Sequence, residues 1–295
     1  MPMHNSSWAL FGLATACLTA LMMLLQEKMK VEGFALAFWC KVACVIVTFP
    51  FVVIYGFPSN PMFYAVLSFQ ALMFAVNDVI LFRHLPGIGA GVISRILPMT
   101  VVLGFFLWFA VDPSSLKTYA AHPAISALIV AVLCGAAYFA MRLRRCAVSM
   151  DAVKRIWFVL LANTLGSVTC KLVTRYADVG QGPMSYTFVE AWMMIALWLV
   201  YIAVARPVTF SSLLEKAVWT RGLLIGTVMS GMVVLYVEGV YYVDNPGYVS
   251  AVSLLSTVLI MAVHKLMGKK DDSDVAAGLG IVACAALLIV LKSRL

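Results

Sequence analysis

Long apolar runs separated by short polar connections fill almost the whole chain. Ten runs can be distinguished, at approximately 7–25, 34–56, 61–82, 87–110, 124–141, 156–174, 184–205, 219–242, 247–267 and 275–292. Each is close to the roughly 20 residues that an α-helix needs to cross a bilayer. The runs are continuous rather than alternating, which excludes a transmembrane β-barrel. The pattern predicts an all-α integral membrane protein with about ten transmembrane helices.

The composition also favours a membrane environment. Hydrophobic residues make up 63% of the 295 residues and charged residues only 12%, whereas a soluble domain carries about 25% charged residues. The net charge of +8 comes from basic residues in the short connections. This distribution indicates a topology signal rather than a surface that binds nucleic acid.

The two halves of the chain, residues 1–145 and 146–295, show a weak internal similarity. Superposing them brings related residues together at three places: Lys41 with Glu190, Asp78 with Glu238, and Pro86-Gly87 with Pro246-Gly247. Five helices per half is an odd number, so the second half would enter the membrane from the opposite side. The halves are therefore predicted to be inverted five-helix repeats, a construction usual in secondary transporters.

The membrane orientation is predicted from the connections. Lysine and arginine are concentrated on one side, most densely in residues 142–155 between the halves. The positive-inside rule makes that side cytoplasmic and places both termini outside the cytoplasm, with a bacterial inner membrane as the expected location. Residues 1–7 lack a positive segment, so the first run is interpreted as a membrane helix rather than a cleaved signal peptide.

Ionisable side chains inside the runs are the first candidates for function, because each costs about 2.5–3.5 kcal/mol at the bilayer centre. Glu238 lies deep in the eighth run, with Tyr242 one turn further on. This setting suits an ammonium group, through charge and cation–π attraction, or a proton. The alternative is a fixed ion pair with Lys41 or Arg95.

Asp78 and Asn77 occupy the equivalent place in the first half, near the end of the third run. Substrate binding or coupling is the functional hypothesis. An interfacial salt bridge to Arg83 or His84 is the alternative.

Three further groups of candidates lie in other runs. Arg95 follows several glycines and could hold a carboxylate or phosphate, or else pair with one of the acids. Lys41 and Glu190 could meet as a gate or as a structural ion pair. Asn163 is a candidate for substrate binding in the sixth run, with Lys171 two turns further on.

In architecture and in loose motifs the chain resembles the drug/metabolite transporter superfamily, in its ten-helix EamA-like branch. The resemblance covers essentially the whole chain, with Gly89–Pro98 (GAGVISRILP) in the fourth run and Ala277–Val290 (AGLGIVACAALLIV) in the last. Two places depart from the family, since Val111-Asp112-Pro113 and Gly268-Lys269-Lys270 stand where a Gly-Glu pair is common. The resemblance implies a central cavity that opens to one side at a time. It also implies cytoplasmic termini, in conflict with the loop charges.

The favoured function is that of a secondary transporter for a small polar metabolite, zwitterionic or amine-bearing, with proton coupling through Glu238 or Asp78. A flippase for a lipid-linked headgroup is the alternative. An enzyme is disfavoured, because catalytic sets such as GxGD and HxxxxD do not occur. The seven cysteines form no CxxC pair and a phosphate-binding GxxxxGK[ST] loop is missing, so no metal or cofactor is expected.

Overall fold

The computed structural model describes residues 7–29, 33–88, 96–143, 150–206, 208–268 and 274–295. Helices joined by short turns make up this part of the chain, and no strand occurs within it. An all-helical architecture is expected in a lipid bilayer. Lipid offers no hydrogen-bond partners for backbone N–H and C=O groups, and a helix satisfies these groups internally.

Fourteen helices are described, and most begin or end near the predicted run boundaries. In the first half they are α1 (Ser7–Met29), α2 (Gly33–Tyr55), α3 (Pro61–Ile88), α4 (Met99–Val111), α5 (Pro113–Ala121) and α6 (Pro123–Arg142). In the second half they are α7 (Met150–Arg155), α8 (Trp157–Val173), α9 (Gln181–Ala205), α10 (Phe210–Leu213), α11 (Lys216–Tyr241), α12 (Gly247–Ser253), α13 (Leu255–Leu266) and α14 (Val275–Lys292).

Within the described residues, eight helical segments are long and apolar enough to cross a bilayer: α1, α2, α3, α6, α9, α11, α12 together with α13, and α14. The pair α4 and α5 would form a ninth, but it is bent by 108°. The helix α8 is apolar but has only 17 residues. A multi-pass all-α membrane protein is thus confirmed, while the count of ten helices stays a prediction.

The bend between α4 and α5 lies at Asp112-Pro113. Proline cannot donate a backbone hydrogen bond, and it pushes the preceding residue away from helical angles. Asp112 accordingly has φ −128° and ψ 79°. As a result, a nine-residue helix, α5, turns off from α4, where the sequence pattern predicted only a connection.

The helices of the two halves interleave rather than forming separate bundles. The helix α11 packs against α1 and α2, α9 packs against α2 and α3, and α8 packs against α3 and α4. The helix α1 also contacts α12 and α13, and α14 packs along α6. Small residues allow close approach: a Cβ atom on Gly226 of α11 would lie 2.6 Å from the Cα atom of Cys40 in α2.

The ten predicted membrane helices would alternate in direction, and this alternation defines two faces of the molecule. The terminal face carries the start of α1, the end of α14 and the connections 56–60, 112–122, 174–180 and 242–246. The opposite face carries the ends of α1, α6 and α13 and the start of α11. Contacts between helix ends agree with this division: Gln181 Nε2 donates to the Tyr55 carbonyl, and Arg221 Nη1 donates to the Met29 carbonyl.

Candidate functional site

A buried polar network lies where α2, α3, α8 and α9 meet. Lys41 Nζ is 2.9 Å from Glu190 Oε2, and the two residues are only 6% and 4% exposed. Gln70 Nε2 donates to the other oxygen, Glu190 Oε1, at 3.2 Å and also to the Tyr186 hydroxyl. Thr169 Oγ1 donates to Gln70 Oε1 at 2.7 Å. Both carboxylate oxygens of Glu190 therefore have donors within the protein.

The sequence predicted Lys41 and Glu190 as a gate or a structural ion pair, and the structure brings them into direct contact. Sequence reasoning missed Gln70, Tyr186 and Thr169. One signal was available, because Gln70 is the only glutamine inside any of the ten apolar runs. A tyrosine or threonine within an apolar run gives no comparable signal.

A second polar cluster joins α3 to α8. Asn77 is buried, and its Nδ2 donates to Asp78 Oδ1 at 2.8 Å. Asn163 Nδ2 lies 3.4 Å from Asn77 Oδ1 and 2.7 Å from the Val159 carbonyl. Asp78 is half-buried, and no described side chain forms an ion pair with it. Three residues predicted from the sequence thus come together here.

The third cluster contains Glu238 in the last turn of α11, closer to the helix end than the sequence suggested. The Tyr242 hydroxyl donates to Glu238 Oε1 at 3.1 Å. The Tyr242 ring stacks on Phe11 of α1, with centroids 5.6 Å apart and planes 4° apart. Glu238 is half-buried, and it pairs with no cation among the described side chains. The alternative of an ion pair with Lys41 is wrong, because Lys41 binds Glu190.

Two further candidates have different outcomes. Arg95 lies outside the described residues, as do the side chains of Arg83 and His84. Lys171 lies on α8, and its Nζ donates to the Val240 carbonyl of α11 at 2.9 Å. Lys171 and Asn163 thus share a helix but contact different neighbours.

Ion pairs also link helix ends at the terminal face. Arg175 Nη2 lies 2.5 Å from Asp112 Oδ2, and its guanidinium lies 4.9 Å from the ring centroid of Trp108. The Ser114 hydroxyl and the Arg175 charge hold the pKa of Asp112 below its usual range. This ion pair should consequently survive mild acidification. Nearby, Lys292 Nζ lies 2.5 Å from Asp244 Oδ1.

At the opposite face, His264 Nε2 lies 2.8 Å from Glu27 Oε2. The contact joins the end of α13 to the end of α1. The His264 side chain is mostly buried, while that of Glu27 is about half exposed. The sequence assigned no role to this histidine.

The fold and these clusters define a multi-pass membrane protein with polar side chains buried between apolar helices. A search of protein-family models and a search of curated protein sequences both find no match to the chain. Among the described residues, no group of three histidine, cysteine, aspartate or glutamate side chains could hold a metal ion. The function is therefore argued from the side chains themselves.

Proposed function

We propose that this protein is a secondary transporter that moves a small polar metabolite, zwitterionic or amine-bearing, by alternating access with proton coupling. The proposal rests on the burial and the charge partners of Asp78 and Glu238. Each is a half-buried carboxylate in a membrane helix, and neither is paired with a cation among the described side chains. Placing an ionisable side chain inside a membrane protein costs free energy, and such residues mark substrate or proton pathways.

The surroundings of Glu238 suit a cationic group. A carboxylate attracts an ammonium by charge, and the stacked rings of Phe11 and Tyr242 offer aromatic surface beside it. Without substrate, the same carboxylate could bind a proton. The proposed zwitterionic substrate also needs a cation for its acidic end, and Arg95 is proposed for that role from the sequence alone.

Helix packing supports the proposed inverted repeats of residues 1–145 and 146–295. If the first, second and third helices of each half are equivalent, every contact between halves should have a counterpart. The contact of α1 with α11 is matched by that of α8 with α3, and the contact of α2 with α11 by that of α9 with α3. The contact of α1 with α13 is matched by that of α8 with α4. Matched pairs of this kind are expected of two equivalent five-helix halves, the architecture on which the EamA-like resemblance rests.

The same equivalence favours a structural role for Lys41 and Glu190. They are counterparts in the two halves, yet they touch each other. Two equivalent points in contact must lie close to the axis that relates the halves. Positions on that axis move least when the halves exchange conformations, so we assign this pair to a pivot rather than to a gate.

The orientation belongs to the proposal as well. The terminal face carries fewer lysine and arginine residues than the opposite face, so the positive-inside rule places it outside the cytoplasm. A bacterial inner membrane is the proposed location.

The test is ligand-induced stabilisation of the purified protein, followed by uptake into proteoliposomes. A ligand that binds the folded state raises the melting temperature by an amount that grows with the logarithm of its concentration relative to its Kd, so amino acids, amines, organic anions, sugars and lipid headgroups are compared. We expect a shift with amino acids or amines that Glu238→Gln abolishes, and uptake driven by a pH gradient. Glu215→Gln, which alters an exposed acid next to the same helix, is the matched control.

Two results would contradict the proposal. Uptake that ignores the pH gradient and tolerates both Glu238→Gln and Asp78→Asn would exclude proton coupling through these acids. Stabilisation by lipid headgroups alone would replace the metabolite transporter with a headgroup flippase.

A further inference from the structure

Two contacts between an acidic and a basic side chain, one at each face, join corresponding helices. At the terminal face, Asp112–Arg175 connects the end of α4 to the turn that follows α8. At the opposite face, Glu27–His264 connects the end of α1 to the end of α13. In both cases the contact is formed where two membrane helices emerge on the same side.

The proposed inverted repeat makes these two contacts counterparts. It relates α1 to α8, as the first helix of each half, and α4 to α13, as the fourth. The ends of α1 and α8 lie on opposite faces, and so do the ends of α4 and α13. The Glu27–His264 contact is therefore the image of the Arg175–Asp112 contact, with acid and base exchanged between the helices.

We propose that these two side-chain contacts are clasps that close the two ends of one pathway, and that they open in alternation. The inference rests on the proposed transport function. Each clasp joins a helix of one half to a helix of the other, so relative movement of the halves must stretch it. Because the clasps lie on opposite faces of a common pivot, the movement that stretches one compresses the other.

The residues around the Asp112–Arg175 clasp are consistent with a closed terminal face. Arg175 covers the buried Trp108 ring, and Ser114 holds Asp112 in place. The hydroxyls of Tyr119 and Tyr248, from α5 and α12, meet at 2.9 Å in the same region. Opening this face would therefore expose aromatic surface as well as break the ion pair.

The experiment measures distances between spin labels at each face, in a chain whose native cysteines are replaced. Exposed positions are available for both pairs: Lys117 and Asp178 at the terminal face, and Lys28 and Leu266 at the opposite face. We expect Arg175→Gln to lengthen the 117–178 distance by several ångströms and to leave the 28–266 distance unchanged or shorter. Glu27→Gln should do the reverse.

The controls distinguish the loss of one specific contact from a general destabilisation of the protein. Lys216→Gln removes an exposed cation elsewhere and should change neither distance. The charge exchange Asp112→Arg with Arg175→Asp should restore the 117–178 distance, which a merely destabilised protein would not do. Lengthening of both distances by Arg175→Gln, or of neither in a folded protein, would overturn the proposal.

The readout also separates this inference from the proposed function. If the label distances respond as expected but no compound is taken up, the two contacts do open in alternation and it is the transport function that fails. If uptake proceeds and the distances do not respond, the clasps alone are wrong.

Discussion

Glu190 and Glu238 are both glutamates within membrane helices, but they differ in burial and in hydrogen-bond donors. Glu190 is buried, with Lys41 on one carboxylate oxygen and Gln70 on the other. Glu238 is half-buried, with a single donor from Tyr242. The first charge is neutralised and fully hydrogen-bonded inside the fold. The second leaves capacity for a proton or a ligand. The contrast predicts that changes at Glu190 lower stability, whereas changes at Glu238 affect the proposed transport.

The largest expected effect tests the stability side of this contrast. Lys41→Met leaves the Glu190 charge buried without its partner, and breaking such a pair costs about 3–5 kcal/mol. We expect the free energy of unfolding to fall by about that amount. Unfolding in mixed detergent micelles, followed by circular dichroism, measures it.

The double variant Lys41→Met, Glu190→Met provides the control. Replacing a buried ion pair with apolar residues of similar volume is often close to neutral, so most of the lost stability should return. A single variant as stable as the wild type would show that the ion pair is dispensable.

A smaller effect is expected at Gln70. Gln70→Leu removes a donor to Glu190 and the acceptor of the Thr169 hydroxyl. Leaving buried polar groups unsatisfied costs about 1–3 kcal/mol. The same unfolding measurement applies, with Gln181→Leu, which removes one hydrogen bond at a half-buried position outside the network, as the control. Equal losses in the two variants would argue against a special role for the network.

The contact of Tyr242 with Glu238 should matter less. Tyr242→Phe keeps the ring stacked on Phe11 and removes one hydrogen bond, which is worth about 0.5–1.5 kcal/mol. We expect a loss of stability within that range and a weaker response to the ligand. A variant that binds the ligand as tightly as the wild type would remove Tyr242 from the proposed site.

The smallest effect on stability is expected for Glu238→Gln, although its functional effect should be complete. The amide keeps an oxygen that can accept from Tyr242, so the unfolding free energy should change by less than about 1 kcal/mol. Ligand-induced stabilisation should disappear, because the negative charge is lost. A large loss of stability here would break the comparison, since Glu238 would then be structural like Glu190.

The sequence predicted the fold class well because the bilayer imposes a simple requirement. A long apolar run has one stable conformation in lipid, so most membrane helices could be recognised from hydropathy alone. The bend at Asp112-Pro113 was recognised as a break, but α5 was missed, because a helix of nine residues leaves little periodic signal. The number of helices and their repeat remain predictions.

The candidate site was harder to predict, for a reason that differs between residues. Lys41 and Glu190 could be related because each is a charge at a corresponding place in the two halves. The contacts of Gln70 with Tyr186 and Thr169 cross from α3 to α9 and α8, and uncharged polar residues give no sign of such long-range partners. Asn77, Asp78 and Asn163 were each recognised as candidates, but their contact depends on how α3 packs against α8.

The Lys41–Glu190 pair also imposes a condition on biosynthesis. The two residues are 149 positions apart, and at roughly 5–20 residues per second the ribosome needs on the order of ten seconds to cover that interval. During this time α2 has been made but the counter-ion of its lysine does not yet exist. The nascent chain must therefore shelter this ammonium in the insertion machinery, in water or at the headgroup layer. Final docking of α2 should wait until α9 has entered the membrane.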